Sequence, residues 1–243
     1  MLYIGIDLGT SAVKLLLMDS EGNIRNIVSR EYPLYFPHPG WSEQKPEDWY
    51  EQTMEGIREL LKDAGFDFDI LLSKTPDSVN EDVLPGESPE NYVARVTREK
   101  AKWGRKVAET ERDLLLPVLA ADTTVALNGK IYGKPADEKE AFEFLKDFSG
   151  QTHEVLTAVC LVDKEGKPRE TLTKTFVTFR PLTDEEINSY IASGEAFDKA
   201  GGYGIQGLAG QFVEKVEGSY SGVIGLPVDE TKALLAEIGI RPH

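Results

Sequence analysis

"LLLPVLAADTTVALNGKIYGKP" (residues 114–135) carries the strongest fold signal in the chain. An apolar run reaches Asp122, continues through Thr123-Thr124-Val125, and stops at Asn128-Gly129. That dipeptide suits a two-residue hairpin turn, because both central positions need positive φ. The stretch therefore reads as a strand, a tight turn and a return strand. Asp122 is the anomaly: a carboxylate at the end of an apolar strand needs a metal or a hydrogen-bond partner. If the turn pairs Leu127 with Lys130, continued pairing sets Thr123 opposite Lys134. Lys134 would then lie beside Asp122 and Thr123, with the pleat deciding whether the side chains meet.

Working outward, strands and helices alternate. Ser88-Pro89 opens a helix expected to run to about Val107, with proline at the favoured first position. Another helix is expected from about Asp137 to Phe148. "HEVLTAVCLVDKEGKPRETLTKTFVTF" reads as two long strands joined at Glu165-Gly166. Thr183 with Glu186 forms a capping box for a helix ending near Gly194. A glycine-rich loop, a short strand near Val223 and a last helix from about Asp229 follow. Upstream, Tyr3–Ile6, Val13–Met18 and residues 24–35 read as a β-meander. A helix is expected from Pro46 to Ala64, and "FDFDILLS" as a strand. The class is α/β.

The bulk composition narrows the function. The 243 residues carry a net charge of −15, which opposes non-specific binding to a nucleic acid polymer. The single cysteine, Cys160, excludes an intramolecular disulfide and a cysteine zinc cage, and reads as a small buried hydrophobe. His38, His153 and His243 lack metal-ligand spacing. No apolar run approaches a membrane span and no secretory leader opens the sequence, so a cytoplasmic protein without membrane partners is expected. "GYGIQG" (202–207) matches a dinucleotide-binding pattern in letters only, because no strand precedes it and no amphipathic helix clearly follows.

Two resemblances divide the chain. Residues 3–18, with Asp7-Leu8-Gly9-Thr10-Ser11, and "PHPGWSEQKPEDW" (37–49) resemble the start of xylulokinase-type carbohydrate kinases, whose actin-like fold opens with such a meander and helix. In that family the loop approaches nucleotide phosphates. The later parts of such a kinase do not appear after Gly65. From Arg58 onward the chain resembles the Maf family of nucleoside triphosphate pyrophosphatases. The motifs run in order: "RELLKDAGFDF" (58–68), "NEDVLPGESPENYVARVTREKA" (80–101), "LAADTTVALNGKIYGKP" (119–135), "FSGQTHEVLTAV" (148–159), "TFVTFRPLTDEEI" (175–187) and "DKAGGYGIQGLAGQFVEKVEGSYSGVIGLP" (198–227). The expected organisation is a kinase-like fragment over 1–57 and a Maf-like domain over 58–243, the latter with a mixed central sheet flanked by helices.

The Maf resemblance implies hydrolysis of a nucleoside triphosphate between the α- and β-phosphates, with a divalent cation, Mg²⁺ or Mn²⁺, as cofactor. It implies Asp122 as base or metal-bound group, Glu81 as its carboxylate and metal-binding partner, and Lys100 and Lys134 as charge stabilisers. Thr123 with Gln206 resembles the branch that prefers dTTP and UTP; an amide reads a pyrimidine edge by donating and accepting together. A homodimer is a further implication. One departure stands out: Maf proteins carry a Ser-x-Ser-Pro-Arg-Arg turn before the "RELL" helix, and here Gly56 and Ile57 replace the arginines. The chain thus reads as a chimera with weakened catalysis. A kinase fragment using Asp7 and Thr10, and a catalytically silent fusion, are the competing readings.

Overall fold

A computed structural model describes residues 2–8, 12–19, 24–31, 71, 79–111, 116–197 and 199–241. It divides into a unit of residues 1–70 with 240–243 and a unit of residues 71–239. In the first, β1 (Leu2–Leu8), β2 (Ala12–Asp19) and β3 (Ile24–Glu31) form an antiparallel meander in that order. The β1–β2 register runs from Leu2 opposite Asp19 to Leu8 opposite Val13. β1 is hydrogen-bonded to β2 in this meander, and β3 ends at Glu31, short of Tyr35. The expected helix from Pro46 and the phosphate-loop residues 9–11 lie outside the described residues.

The second unit is built on a five-stranded sheet of order β5-β4-β6-β7-β8. Its strands are β4 (Val118–Leu127), β5 (Lys130–Tyr132), β6 (Thr152–Val162), β7 (Pro168–Phe179) and β8 (Val213–Glu217). The α/β class holds, and each pairing among the described strands is antiparallel. Asn128 and Gly129 adopt φ of 52° and 80°, as the two-residue turn requires. β5 pairs only with Val125–Leu127, so residues 118–124 of β4 have no strand on that side among the described residues.

Helix α1 (Pro89–Glu111) covers one face. Ser88 Oγ accepts from Asn91 N at 3.3 Å, and Pro89 needs no partner at the first helical position. Val93 packs on Ala126, Leu156 and Ala158, and Ala101 on Cys160 and Val162. The opposite face holds the main core, where Val125, Val155, Val177 and Phe179 meet α2 (Glu138–Phe148) and α3 (Asp184–Ile191). Phe148, Phe179 and Phe212 are almost fully buried, and each such side chain stabilises the fold by roughly 1.5–3 kcal/mol. α5 (Val228–Glu237) adds Leu234 against Val159 and Leu161. The Thr183–Glu186 capping box forms as the sequence predicts.

Two expectations change. The strand expected near Val223 is the short helix α4 (Tyr220–Ile224). Ser219 Oγ caps it by accepting from Gly222 N, and Gly225 at φ 125° stops it. The last strand lies earlier, at Val213–Glu217, where exposed Glu214, Lys215 and Glu217 mask any apolar pattern.

Candidate active site

The carboxylate of Asp122 stands on the face of β4 that α1 covers. Lys100, eleven residues into that helix's span, reaches it: Nζ lies 3.1 Å from Asp122 Oδ2 and 2.8 Å from Glu81 Oε1. Three residues far apart in sequence thus share one ammonium. Asp122 Oδ1 accepts from the N–H of Thr123 at 3.1 Å, on the stretch of β4 that has β6 on one side and no described strand on the other. The lysine is half-buried. Burial alone would lower its pKa, but the hydrogen bond to Glu81 and the charge of Asp122 outweigh that, and the net direction is upward. Lys100 is therefore a fixed positive charge at neutral pH.

Glu81 sits on an irregular loop, and α1 holds that loop by its backbone. Tyr92 Oη donates to Glu81 O at 3.0 Å. Arg95 donates to Asn80 O and Asp82 O, both at 2.8 Å, and pairs with Glu87 at 2.7 Å. Glu87 Oε2 in turn accepts from Leu84 N at 3.0 Å. The carbonyls of Asn80, Glu81 and Asp82 are all tied to one helix, so the carboxylate is pre-positioned against Lys100. Burial, then the charges of Asp122 and Glu81, raise the pKa of Tyr92, which keeps its hydroxyl a donor. Sequence reading missed Tyr92, Arg95 and Glu87. No periodicity marks a side chain that bonds backbone fifteen residues upstream.

Thr123 points to the other face. Its Oγ1 is 2.9 Å from Thr157 Oγ1, and the buried Thr157 lies 2.7 Å from Gly222 O in α4. Gln206 is exposed in a tight turn closed by Gly207 N donating to Gly204 O at 3.1 Å. A Cβ at Gly207 would collide with the carboxylate of Glu195, whose Oε2 accepts from Leu208 N at 2.9 Å. That turn follows a 3-10 turn (Ala200–Gly202) and leads into another (Leu208–Phe212), so the glycine pattern has no strand-helix context.

Lys134 does not follow the extrapolated register. The β4–β5 ladder ends at Val125–Tyr132, because Gly133 O accepts from Gly201 N at 2.9 Å and Pro135 follows. Lys134 is exposed, and among the described residues it makes no ion pair with Asp122 or Glu81. An open cavity of about 490 Å³ lies instead against the β4–β5 turn and α2, lined by Asn128, Lys130, Tyr132, Lys146 and Asp147 among others. None of the candidate residues lines it, and its lysines are engaged by Asp147 and Asp184.

The donor set bears on a metal. One ammonium against two carboxylates leaves the trio with a net negative charge, which repels a triphosphate. A divalent cation would reverse that sign, and Asp122 and Glu81 are the hard oxygen donors Mg²⁺ takes alongside substrate phosphates. Among the described residues no group of three or more His, Cys, Asp or Glu stands ready as a closed cage.

Comparison with known proteins identifies the family. The family described as "Maf-like protein" matches residues 58–238, and the N-terminal domain of the FGGY family of carbohydrate kinases matches residues 2–73. A dTTP/UTP pyrophosphatase of Dechloromonas aromatica (strain RCB) is 48% identical over 189 residues, covering 76% of this chain and 94% of the relative. That of Escherichia coli O157:H7 is 50% identical over 179 residues, covering 74% and 86%. That of Nitrosomonas europaea is 50% identical over 187 residues, covering 75% and 90%. Behind a short stretch similar to sugar kinases, this chain belongs to the Maf-like protein family.

Proposed function

We propose that the chain hydrolyses dTTP and UTP to the monophosphate and pyrophosphate, through a site made of Asp122, Glu81 and Lys100. The single observation behind this reading is the Lys100 ammonium within 3.1 Å of both carboxylates in a Maf-like chain. Relatives carrying the name dTTP/UTP pyrophosphatase support the substrate class.

In this reading Lys100 supplies positive charge where negative charge grows on the phosphates, at no cost of reorganisation. Asp122 holds the attacking water or the cation, with Thr123 N–H fixing the carboxylate's orientation. Glu81 is its partner across the same ammonium. Bound Mg²⁺ or Mn²⁺ would supply Lewis-acid polarisation of the phosphate oxygens and lower the pKa of a coordinated water. Lys134 joins only by moving toward the triphosphate, and Thr123 and Gln206 read the base. The kinase-like stretch 1–57 brings no phosphoryl transfer of its own.

Without arginines at positions 56 and 57, turnover is expected to fall short of an intact relative by about 10²-fold. No described helix is long and apolar enough to cross a membrane. The test incubates the protein with dTTP or UTP and Mg²⁺ or Mn²⁺. Pyrophosphate and monophosphate are the expected products. Inorganic phosphate with diphosphate, or no product at all, would sink the proposal. ADP formed from ATP only with a pentulose present would move the activity to the N-terminal stretch.

A further inference from the structure

Glu81 and Asp122 already hold a cation, and the chain itself supplies it. Lys100 Nζ stands 2.8 Å from Glu81 Oε1 and 3.1 Å from Asp122 Oδ2. Asp122 Oδ1 takes the N–H of Thr123 at 3.1 Å, so both oxygens of that carboxylate have a donor before any ligand arrives. The carboxylates are not loose enough to turn away from the lysine. Tyr92 and Arg95 fix the backbone of Glu81, and Asp122 is set by its place in β4, opposite Ala158 of β6. Lys100 is held from its own side, since Ala101 packs on Cys160 and Val162 and seats that turn of α1 on the sheet. A divalent cation drawn to these two carboxylates therefore meets an ammonium on the same oxygens. Like charges so close repel, and more strongly where the side chains are only 24–27% exposed and water is thinned. A triphosphate reverses the balance. Its negative charge against Lys100 offsets the repulsion, and its oxygens add to the carboxylates that Mg²⁺ or Mn²⁺ takes.

We infer that Lys100 makes cation binding conditional on the nucleotide: seated between Glu81 and Asp122, its ammonium weakens the hold of these carboxylates on a lone divalent cation, and a bound triphosphate restores it. The inference rests on the pyrophosphatase reading above and adds to it an order of assembly, in which metal and substrate enter together. By linkage, the metal tightens the nucleotide by the same factor as the nucleotide tightens the metal.

The experiment counts Mn²⁺ bound by the full chain in equilibrium dialysis, alone and with saturating α,β-imido-dTTP, whose bridging nitrogen blocks hydrolysis. Mn²⁺ held by free analogue is counted separately. The wild-type chain is expected to bind Mn²⁺ about tenfold or more tightly with the analogue than without it. Lys100→Met should bind Mn²⁺ alone about tenfold more tightly than wild type and gain less from the analogue. Lys100→Arg, which keeps the charge, should stay near wild type. Adding Asp122→Asn to Lys100→Met should abolish the gain. An equal gain in Lys102→Met, an exposed position further along the same helix, would trace it to net charge and overturn the inference. So would a gain that survives Asp122→Asn, or no gain in a Lys100→Met chain whose thermal melting matches wild type. If that variant does not fold, the wild-type comparison decides, and equal Mn²⁺ affinity with and without the analogue overturns the inference. Pyrophosphate release from dTTP without such coupling overturns this inference alone. No release at all sinks the pyrophosphatase reading and this one with it.

Discussion

The face of the sheet under α1 holds two clusters of the same composition. Lys100 bridges Glu81 and Asp122 at 2.8 and 3.1 Å; Lys174 bridges Glu90 and Glu154 at 2.8 and 3.2 Å. Charge count and distance do not separate them. Position does. Glu154 sits on β6 between Ala126 of β4 and Phe176 of β7, and Lys174 on β7 ties α1, through Glu90, to the sheet surface. Asp122 sits on β4 where no described strand covers the edge, and its second oxygen is held by Thr123 N–H. Glu81 belongs to no element and is aimed by Tyr92 and Arg95. A lysine-bridged carboxylate pair becomes a candidate site where backbone access and an aimed loop coincide.

The most direct way to break this comparison is to remove one carboxylate from each cluster. Asp122→Asn should lower kcat for pyrophosphate release by about 10³-fold, because it takes away both the charge and the proton acceptor. Glu154→Gln should leave kcat within about twofold, as expected for an exposed ion pair. A stopped assay on dTTP at saturating substrate reads both. Equal losses in the two variants would mean the clusters are not different in kind.

A smaller effect sharpens the role of aiming. Arg95 touches no candidate catalytic group, yet it holds the carbonyls on either side of Glu81 and the buried Glu87 carboxylate. Arg95→Met should loosen that loop and lower kcat/KM about tenfold, since misplacing a catalytic group by an ångström is costly. Limited proteolysis within residues 80–86 should speed up in parallel. Faster cleavage with unchanged kcat/KM would show that Glu81 needs no fixed position.

How far the sequence led can be judged residue by residue. The Asn128-Gly129 turn and the Thr183–Glu186 box are local, so a few adjacent letters suffice, and both form. Asp122 was conspicuous as a carboxylate in an apolar strand. Lys100 and Glu81 bear no such mark: a lysine on a helix and a glutamate in an acidic stretch are ordinary in sequence, and only family resemblance singles them out. Their meeting depends on where α1 crosses the sheet, a tertiary fact with no period. Lys134 shows the limit of extrapolating a ladder, because one hydrogen bond from Gly201 ends the pairing at Tyr132. The polar chain from Thr123 to Gly222 was equally hidden, since α4 read as a strand and left Thr157 without a visible partner.

The smallest expected effect tests the second cluster as a purely structural one. Lys174 holds the Glu90 carboxyl below its ordinary value of 4.5, through their hydrogen bond first. In the other direction Glu90, then burial opposing it, then Glu154 leave the Lys174 ammonium above its ordinary 10.5. The carboxylate contribution is therefore fully present above about pH 4.5 and is lost as pH falls through the lowered folded value. The lysine contribution is fully present below 10.5 and is lost as pH rises through the raised one. Side chains 34–38% exposed are screened by water, so Lys174→Met should cost under about 1 kcal/mol near neutral pH. Chemical denaturation of both proteins across pH should show that deficit as a plateau fading at each end. A deficit that persists unchanged at pH 2–3 would assign the role of Lys174 to the packing of its aliphatic stem and not to its charge.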